Sequence, residues 1–322
     1  MLGLILPATL QEELPDTRGI TSGSTPCTAQ NLIELCQRAE ATGADSLWAV
    51  DHLYWPHPIN ECLTTLAIAA AATRHPTLGS CILQLPLRNP AAVAKQATAL
   101  QHLSGGRFVL GVGVGSHPEE YARAGVEYHQ RGLLMDQGIA TLHEAWAPVH
   151  DAAVDDATST PPTRYRQDPP SPRVPLWIGG SSPAARRRAA AVGDGWAPLF
   201  LTPDDYRPAL RCLRQETEEA GRDRDAVEPA IVIFARVGPQ AEAQARGAAW
   251  LSDMYGVPPK AFERHLVAGE PEACAAALAR YVEAGARHII IMVAAPGAVR
   301  HFGLLRSAFV AQTDAMPAGV FA

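Results

Sequence analysis

Several common signals are missing from this 322-residue sequence. Its six cysteines form no C-x-x-C pair, so we expect free thiols in a reducing compartment instead of a disulfide framework. Its eleven histidines show neither H-x3-H nor H-E-x-x-H spacing, so we expect no metal site. No apolar run reaches the roughly 18 residues of a membrane span, and the N-terminus lacks the basic-then-apolar order of a signal peptide. We therefore expect a cytoplasmic protein.

Positive charge is also scarce. The chain has 27 Lys and Arg residues against 33 Asp and Glu residues, which gives a net charge of −6. A nucleic-acid surface needs clustered basic side chains to displace counterions, and the densest basic run, at 186–188, is explained by a solvated helix face. We expect no nucleic-acid partner and no membrane contact. A hydrophobic fraction of 47% is enough for a large core.

The order of strands and helices predicts the fold. Short β-rich runs alternate with stretches of helical periodicity, as in parallel sheets with crossover helices. Eight parallel strands close a barrel, and no linker divides the chain, so we predict an α/β fold: a single (β/α)8 TIM barrel over residues 1–322. The eight predicted strands are 2–7, 46–51, 78–83, 107–113, 174–178, 196–201, 230–237 and 288–293. Only helices are expected between residues 240 and 284.

One segment, residues 148–173, interrupts this alternation between strands four and five. It is rich in proline and has no helical or strand-like periodicity. A structureless insertion of this length in a compact domain is usually a lid, a binding loop or a mobile segment. We expect a mobile loop or lid here.

The first candidate site follows strand two. Active sites of this fold lie where strands hand over to loops at their C-terminal ends. There, Asp51 and His52 place an acid beside an imidazole, and histidine can serve as acid or base near neutral pH. The alternative is that Asp51 caps the loop backbone and that His52 only packs.

Glycine- and serine-rich strand ends are the other candidates. Gly79 and Ser80 in strand three indicate a bulge or the close approach of a ligand, with a packing kink as the alternative. Strand four carries glycines at period two, which leave one face bare for a planar group or for tight packing. They form no dinucleotide fingerprint, because the third glycine position is Ser116 or Pro118, depending on which glycine starts the motif. The strand-four glycines are Gly111, Gly113 and Gly115.

The turn after strand five is the last candidate. Gly179, Gly180 and Ser181 precede a helix that begins near Pro183, and the N-terminus of a helix attracts anions. Helix capping alone is the alternative.

These motifs together resemble the luciferase-like monooxygenase superfamily, and in particular its deazaflavin-dependent members. The resemblance is carried by the order of landmarks along about residues 1–200. Beyond the Asp51–His52 pair, the matching stretches are NPAAVAK at 89–95, LSGGRF at 103–108, LGVG at 110–113, PLWIGGSSP at 175–183 and DGW at 194–196.

The resemblance implies an enzyme that binds coenzyme F-420, or alternatively flavin mononucleotide (FMN), at the C-terminal mouth of the barrel. It implies that His52 is the catalytic acid or base, and that Gly179, Gly180 and Ser181 hold the cofactor phosphate. It also implies a non-proline cis peptide at Ser80–Cys81, which would back the cofactor ring. Proteins of this family often pair through their second and third helices, so a homodimer is expected.

The sequence also departs from the family pattern. The sugar-phosphate dehydrogenases of this group carry a glutamate after the strand-four glycines, where this chain has Ser116. We therefore expect hydride transfer with a small organic substrate other than a sugar phosphate. The alternatives are an FMN-dependent monooxygenase and a flavin-binding protein without activity. For a ligand titration, Trp48, Trp55 and Trp177 are expected near the barrel mouth.

Overall fold

The protein is a closed parallel barrel surrounded by helices. The computed structural model describes residues 1–7, 28–147 and 173–314. The strands are β1 (Leu2–Ile5), β2 (Ser46–Ala49), β3 (Thr77–Ser80), β4 (Leu83–Gln84), β5 (Phe108–Gly113), β6 (Leu176–Gly179), β7 (Gly195–Ala197), β8 (Glu228–Val237), β9 (Leu266–Gly269) and β10 (His288–Val293).

Barrel closure confirms the predicted fold. The hydrogen-bonded order runs β10-β1-β2-β3-β5-β6-β7-β8, and β10 pairs in parallel with β8 to close the ring. All eight predicted strands take part, although the third is interrupted: β3 pairs with the first half of β5, and β4 pairs with its end. The C-terminal ends of the strands therefore converge on one mouth.

The prediction of helices alone between residues 240 and 284 is wrong. That region contains β9, which pairs in parallel with the second half of β8, from Phe234 to Val237. β8 is ten residues long, so it can pair with β10 through Ala230–Ala235, which closes the barrel, and with β9 through Phe234–Val237. β9 has only four residues, too few for a clear periodic signal.

The helices follow the predicted positions closely, because their caps are explicit in the sequence. Asn89 and Ser182 each accept a hydrogen bond from the third residue of the following helix, and each is followed by proline. The helices are α1 (Ala29–Ala41), α2 (Cys62–Ala72), α3 (Pro90–Leu103), α4 (Pro118–Arg123), α5 (Arg131–Trp146), α6 (Pro183–Val192), α7 (Pro203–Glu219), α8 (Gln240–Tyr255), α9 (Pro271–Glu283) and α10 (Ala298–Asp314).

Two tryptophans fill the barrel interior. Trp48 and Trp177 are 1% and 6% exposed, and their ring centroids lie 5.2 Å apart. The expectation that they lie near the mouth is wrong, because both pack against His288, the first residue of β10. Gly79 is explained by this packing, since a Cβ there would lie 2.2 Å from the Trp48 ring.

Some expectations concern features other than the barrel. None of the five cysteines within the described residues forms a disulfide bond. None of the helices that the structure describes is both long and apolar enough to cross a membrane. The predicted insertion at 148–173 lies, apart from Arg173, outside the described residues.

Candidate functional site

Two cavities open at the C-terminal ends of the strands. The larger, which we call the central cavity, has a volume of about 280 Å³ and lies over the barrel axis. It is lined by every sequence-predicted site residue except Ser80: Asp51, His52, Cys81, Gly113, Gly115, Gly179, Gly180 and Ser181. The fold thus brings together residues from strands that are far apart in sequence.

The second cavity, which we call the side chamber, lies beside the first. It has a volume of about 150 Å³ and is formed by the ends of β1, β2 and β10 together with the last turns of α8. The two cavities share a wall, whose residues line both of them: Ile5, Val50, His52, Tyr255 and Met292. A molecule in either cavity therefore meets His52.

His52 is held by a carboxylate that the sequence analysis did not identify. Its Nδ1 lies 3.1 Å from Oε2 of Glu120, while Oε1 of Glu120 accepts the backbone N–H groups of Leu53 and Tyr54 at 2.6 and 3.2 Å. The His52 side chain is 20% exposed and that of Glu120 is 1% exposed. The carboxylate thus fixes both the imidazole and the chain that follows it.

The charge on Glu120 is maintained by these contacts. Burial opposes ionisation, but the hydrogen bonds from His52, Gln84 and the Tyr54 N–H outweigh it, and the pKa of Glu120 lies below its ordinary value. A carboxylate can only accept, so Nδ1 of His52 carries a proton and Nε2 is the nitrogen free to exchange one with a bound molecule.

An aromatic ring completes the surroundings of His52. Trp55 stacks on the imidazole with 3.8 Å between ring centroids, and its indole also lines the side chamber. His117 meets both rings edge-on, at 5.8 Å from His52 and 4.9 Å from Trp55. These contacts restrict rotation of the imidazole, which suits a group that must meet a substrate in one orientation.

Asp51 reaches the central cavity but bonds away from His52. Its carboxylate accepts the backbone N–H of Gln84 at 2.9 Å and forms an ion pair with Arg88. Burial raises the pKa of Asp51, against the opposing effects of Arg88 and the Gln84 N–H. Of the two roles that the sequence left open, this geometry corresponds to fixing the loop, because Asp51 anchors β4 to the end of β2.

The predicted cis peptide lies one residue further along the chain. The cis bond is Cys81–Ile82, so the expectation of Ser80–Cys81 is wrong. Ser80 is still in register with Ala49, the Cys81 N–H donates to the Ala49 carbonyl, and pairing resumes only at Leu83. The irregular bond thus falls between two paired stretches. Ser80 does not line the cavity, because its hydroxyl bonds to the backbone of Gly111.

The missing side chains of Gly113 and Gly179 leave room for Ile82, a residue that the sequence analysis did not single out. A Cβ on Gly113 or Gly179 would lie 2.7 or 2.4 Å from the Ile82 side chain. At Gly111 the obstacle is the Ser80 carbonyl oxygen, 2.1 Å away. The glycines therefore permit Ile82 to lie across the barrel, where it lines the central cavity beside Cys81.

Gly115 has a different reason to be glycine. Its φ of +69° is unfavourable for other residues, and a Cβ would lie 1.9 Å from Oε1 of Gln84. That oxygen is buried and has no hydrogen-bond partner within the described residues. Gln84 lines the central cavity, so the side chain that carries this buried acceptor belongs to the cavity wall.

The turn after β6 lines a branch of the same space. Gly180 has a φ of +103° and is exposed, and Ser182, not Ser181, caps α6 by accepting the Ala185 N–H at 3.2 Å. A cavity of about 230 Å³ runs along residues 179–182 as far as Arg188, whose guanidinium pairs with Asp136. The Arg188–Asp136 ion pair and the N-terminus of α6 thus lie at the same end of the site.

The comparisons with known proteins agree with this geometry. A family model described as luciferase-like monooxygenase matches residues 13–249. The chain belongs to the luciferase-like monooxygenase family. The resemblance inferred from the sequence is thereby confirmed, and the protein is an oxidoreductase of that family.

One relative by sequence and two solved structures illustrate what this luciferase-like protein is similar to. The phthiodiolone/phenolphthiodiolone dimycocerosates ketoreductase of Mycobacterium tuberculosis is 29% identical over 266 residues, which cover 70% of this chain and 67% of the relative. A structure of an F-420-dependent secondary alcohol dehydrogenase in complex with an F-420–acetone adduct superposes with a TM-score of 0.75 at 20% identity, covering 96% of this chain and 98% of the other. The long-chain alkane monooxygenase LadA gives a TM-score of 0.74 at 15% identity, covering 98% and 92%.

The donor atoms of His52, His117 and Glu120 form the cluster nearest to a metal site in the described part of this luciferase-like chain. They lie within 4.8 Å of one another. No sequence spacing announced this group, because His52 and the other two come from different strand ends. Glu120 accepts hydrogen bonds there from His52 and from the backbone of Leu53 and Tyr54, whereas His117 contacts the group through its ring.

Proposed function

We propose that the protein is a coenzyme F-420-dependent oxidoreductase that transfers a hydride to or from a small organic substrate. One observation carries the proposal: His52, oriented by Glu120, lies in the wall shared by the central cavity and the side chamber. A cofactor in the first cavity and a substrate in the second would meet at the one oriented imidazole.

The residues of the central cavity fit a flavin-like ring. The Cys81–Ile82 segment offers an uncharged surface, and burial raises the pKa of the Cys81 thiol to about 12, so it remains neutral. Oε1 of Gln84, which is buried and has no hydrogen-bond partner within the described residues, would accept a ring N–H after a small rotation of its side chain, and both flavin and deazaflavin carry such a donor. Gly113 and Gly115 leave room for the Ile82 and Gln84 side chains, which would form this part of the cofactor-binding wall.

The other end of the cavity fits the phosphate of such a cofactor. The residues proposed to hold it are Gly179, Gly180 and Ser181, before the N-terminus of α6. Arg188, which is paired with Asp136, lies along the same branch. Free backbone N–H groups and the helix dipole favour an anion in this position.

The proton chemistry follows from the geometry of His52. The bound cofactor supplies the hydride donor or acceptor. Oxidation of an alcohol to a ketone releases one hydride from carbon and one proton from oxygen; His52 Nε2 takes the proton, and it returns the proton in the reverse reaction. Glu120 stabilises the imidazolium that forms. Asp51 is proposed to act as a positioning group that holds Gln84 and the segment around it.

The relatives support alcohol and carbonyl chemistry by their names, which mention a ketoreductase and a secondary alcohol dehydrogenase. The alternative of an FMN-dependent monooxygenase is supported by the family description and by the fold shared with LadA. A flavin-binding protein without activity is the third candidate. The His52–Glu120 pair argues against it, because binding alone would not need an imidazole oriented by a carboxylate. We also retain the proposal of a homodimer.

Cofactor titration tests the proposal. Trp55 stacks on His52, which lines the central cavity, so Trp55→Phe should reduce any quenching by a cofactor bound there, and Trp250→Phe, at a tryptophan that lines only the side chamber, is its control. We expect saturable quenching of tryptophan fluorescence by F-420 and none by FMN at equal concentration. Binding of FMN alone would favour the monooxygenase. Binding of neither cofactor would contradict the proposed function.

A further inference from the structure

The side chamber differs in character from the central cavity. Its described lining contains no lysine or arginine. Its carboxylate, Asp253, is 81% exposed and lies 3.7 Å from Nε2 of His57. The remaining surface is mostly aliphatic, aromatic or thioether, including Trp250, Met254 and Ile59. The described lining offers a dissolved anion no positive charge other than an imidazolium of His52 or His57, so burial of an anion there is less favourable than burial of an uncharged molecule.

The shared wall contains two protic side chains, His52 and Tyr255. Tyr255 is the last residue of α8, where Gly256 ends the helix in a left-handed conformation. Its ring packs edge-on against Trp55 at 5.7 Å, which directs it into the aromatic group around His52. Burial raises the pKa of Tyr255 far above its ordinary value, so the hydroxyl remains a neutral donor.

The Tyr255 hydroxyl has little to bond to in the protein itself. Within the described residues its hydrogen bond goes to Sδ of Met292, 3.6 Å away, and a thioether is a weak acceptor. Met292 also belongs to the shared wall. A ligand oxygen at the wall would therefore be a better partner than the one that the hydroxyl has.

We propose that the side chamber binds the hydrocarbon part of an uncharged ketone or secondary alcohol, and that the Tyr255 hydroxyl hydrogen-bonds the reacting oxygen at the shared wall. This inference rests on the proposed function and specifies its substrate class. His52 would exchange the proton with that oxygen, while Tyr255 would donate a hydrogen bond to it. The hydrocarbon part would lie against Trp250 and Met254.

A chain-length series tests the class of substrate by direct binding. Methyl ketones of increasing length are titrated by calorimetry and by tryptophan fluorescence, with and without F-420. Affinity should rise roughly fourfold per added methylene until the chamber is full, the factor that corresponds to about 0.8 kcal/mol per buried CH₂. Keto acids of equal length should bind at least tenfold more weakly. A flat series, or tighter binding of the acids, would overturn the inference.

Two variant pairs separate the chamber from general damage to the protein. Met254→Glu should abolish the dependence on chain length, whereas Val257→Glu, at an exposed position outside both cavities, should leave it intact. Tyr255→Phe should lower the affinity for ketones two- to tenfold and leave the affinity for alkanes of equal length unchanged, because only the ketones have a hydrogen-bond acceptor. Tyr54→Phe, at a 45% exposed tyrosine that lines neither cavity, is its control.

The two proposals can fail separately. If F-420 binds but the affinity for ketones depends neither on chain length nor on the Tyr255→Phe substitution, the substrate class is wrong while the proposed function stands. If ketones behave as expected but neither cofactor binds, the chamber is an apolar ligand site and the proposed function is wrong. Equal weakening of ketones and alkanes in Tyr255→Phe would show that the tyrosine only shapes the cavity.

Discussion

His52 and His288 both lie against tryptophan rings, but their surroundings give the two imidazoles different roles. His52, at the mouth, stacks on Trp55 and faces a carboxylate. His288, at the start of β10, lies between Trp48 and Trp177 with ring centroids 5.6 and 5.2 Å away. The first is partly exposed and lines two cavities, and the second is 1% exposed and lines neither of them.

The partners of the two rings explain the difference. His288 Nε2 lies 2.7 Å from the Ser46 hydroxyl, which also accepts the Trp48 indole N–H at 2.7 Å. The Ser46 hydroxyl can donate to Nε2 of a neutral imidazole or accept from it, and in neither case does it place a charge opposite the ring. Burial, together with the nearby N-terminal ammonium, lowers the pKa of His288 to about 3. A carboxylate and an open cavity make an imidazole useful for proton transfer, whereas a hydroxyl and two indoles make it part of the core.

The largest expected effect is on turnover at the mouth. His52→Ala should lower turnover with F-420 by about 10²- to 10⁴-fold, the range for a positioned acid or base, while cofactor affinity stays within several-fold. Steady-state kinetics and fluorescence titration measure the two quantities. His129→Ala, at an exposed histidine outside both cavities, should leave both unchanged. Full turnover in His52→Ala would reduce His52 to a packing residue.

The buried histidine should instead affect stability as a function of pH. Its folded-state pKa of about 3 lies below the ordinary value of 6.5, so the unfolded chain binds more protons between these values. The stabilisation is complete above about pH 6.5 and declines as the pH falls towards 3. Between pH 7 and pH 4.5 the free energy of unfolding of the unaltered protein should fall by about 2–3 kcal/mol more than that of the His288→Gln variant. Denaturant unfolding at both pH values measures this, and equal losses would show that His288 is already charged in the folded protein.

The partner of the mouth histidine should matter less than the histidine itself. Glu120→Gln keeps the shape but removes the charge that stabilises the imidazolium, so turnover should fall about tenfold or more and the pH profile of turnover should change. Glu119→Gln, at the exposed neighbouring glutamate, is the matched control. An unchanged pH profile would mean that Glu120 serves only the backbone of Leu53 and Tyr54.

The smallest expected effect is at the anion end. Gly180→Asp should weaken cofactor binding by about tenfold relative to Gly180→Asn, because like-charge repulsion is reduced by solvent at this exposed position. The two variants share the same strained φ and nearly the same volume, so their difference isolates the charge. Equal affinities in a titration would place the cofactor phosphate elsewhere.

Most of the barrel was predictable from the sequence, because its strands and caps are local signals. Asn89 and Ser182 cap their helices by accepting a backbone N–H three residues later, and Pro90 and Pro183 mark the first residue of each helix. β9 was missed because four residues on the edge of β8 give no usable period. The interruption of the third strand was expected, but its position depended on pairing with Ala49, which only the fold determines.

The candidate site was predictable only in part. The residues that follow strands, such as His52 and Gly180, were identified because strand ends converge at the mouth. Glu120 was missed although it lies near Ser116, because its contact with His52 spans 68 residues of sequence. Tyr255 is separated from His52 by an even longer stretch of sequence, and it lies at the end of a helix instead of a strand. Pairings of this kind depend on tertiary structure, and the position of a residue relative to a strand does not reveal them.

Chemical rescue of His52→Ala is the measurement that tests the account most directly. The side chain lines two cavities, so its removal leaves space that free imidazole in solution can reach. We predict that added imidazole restores turnover of His52→Ala with F-420 in a saturable, pH-dependent manner, and that it has no effect on His288→Gln. Absence of rescue at any pH, with cofactor binding intact, would contradict the assignment of proton transfer to His52.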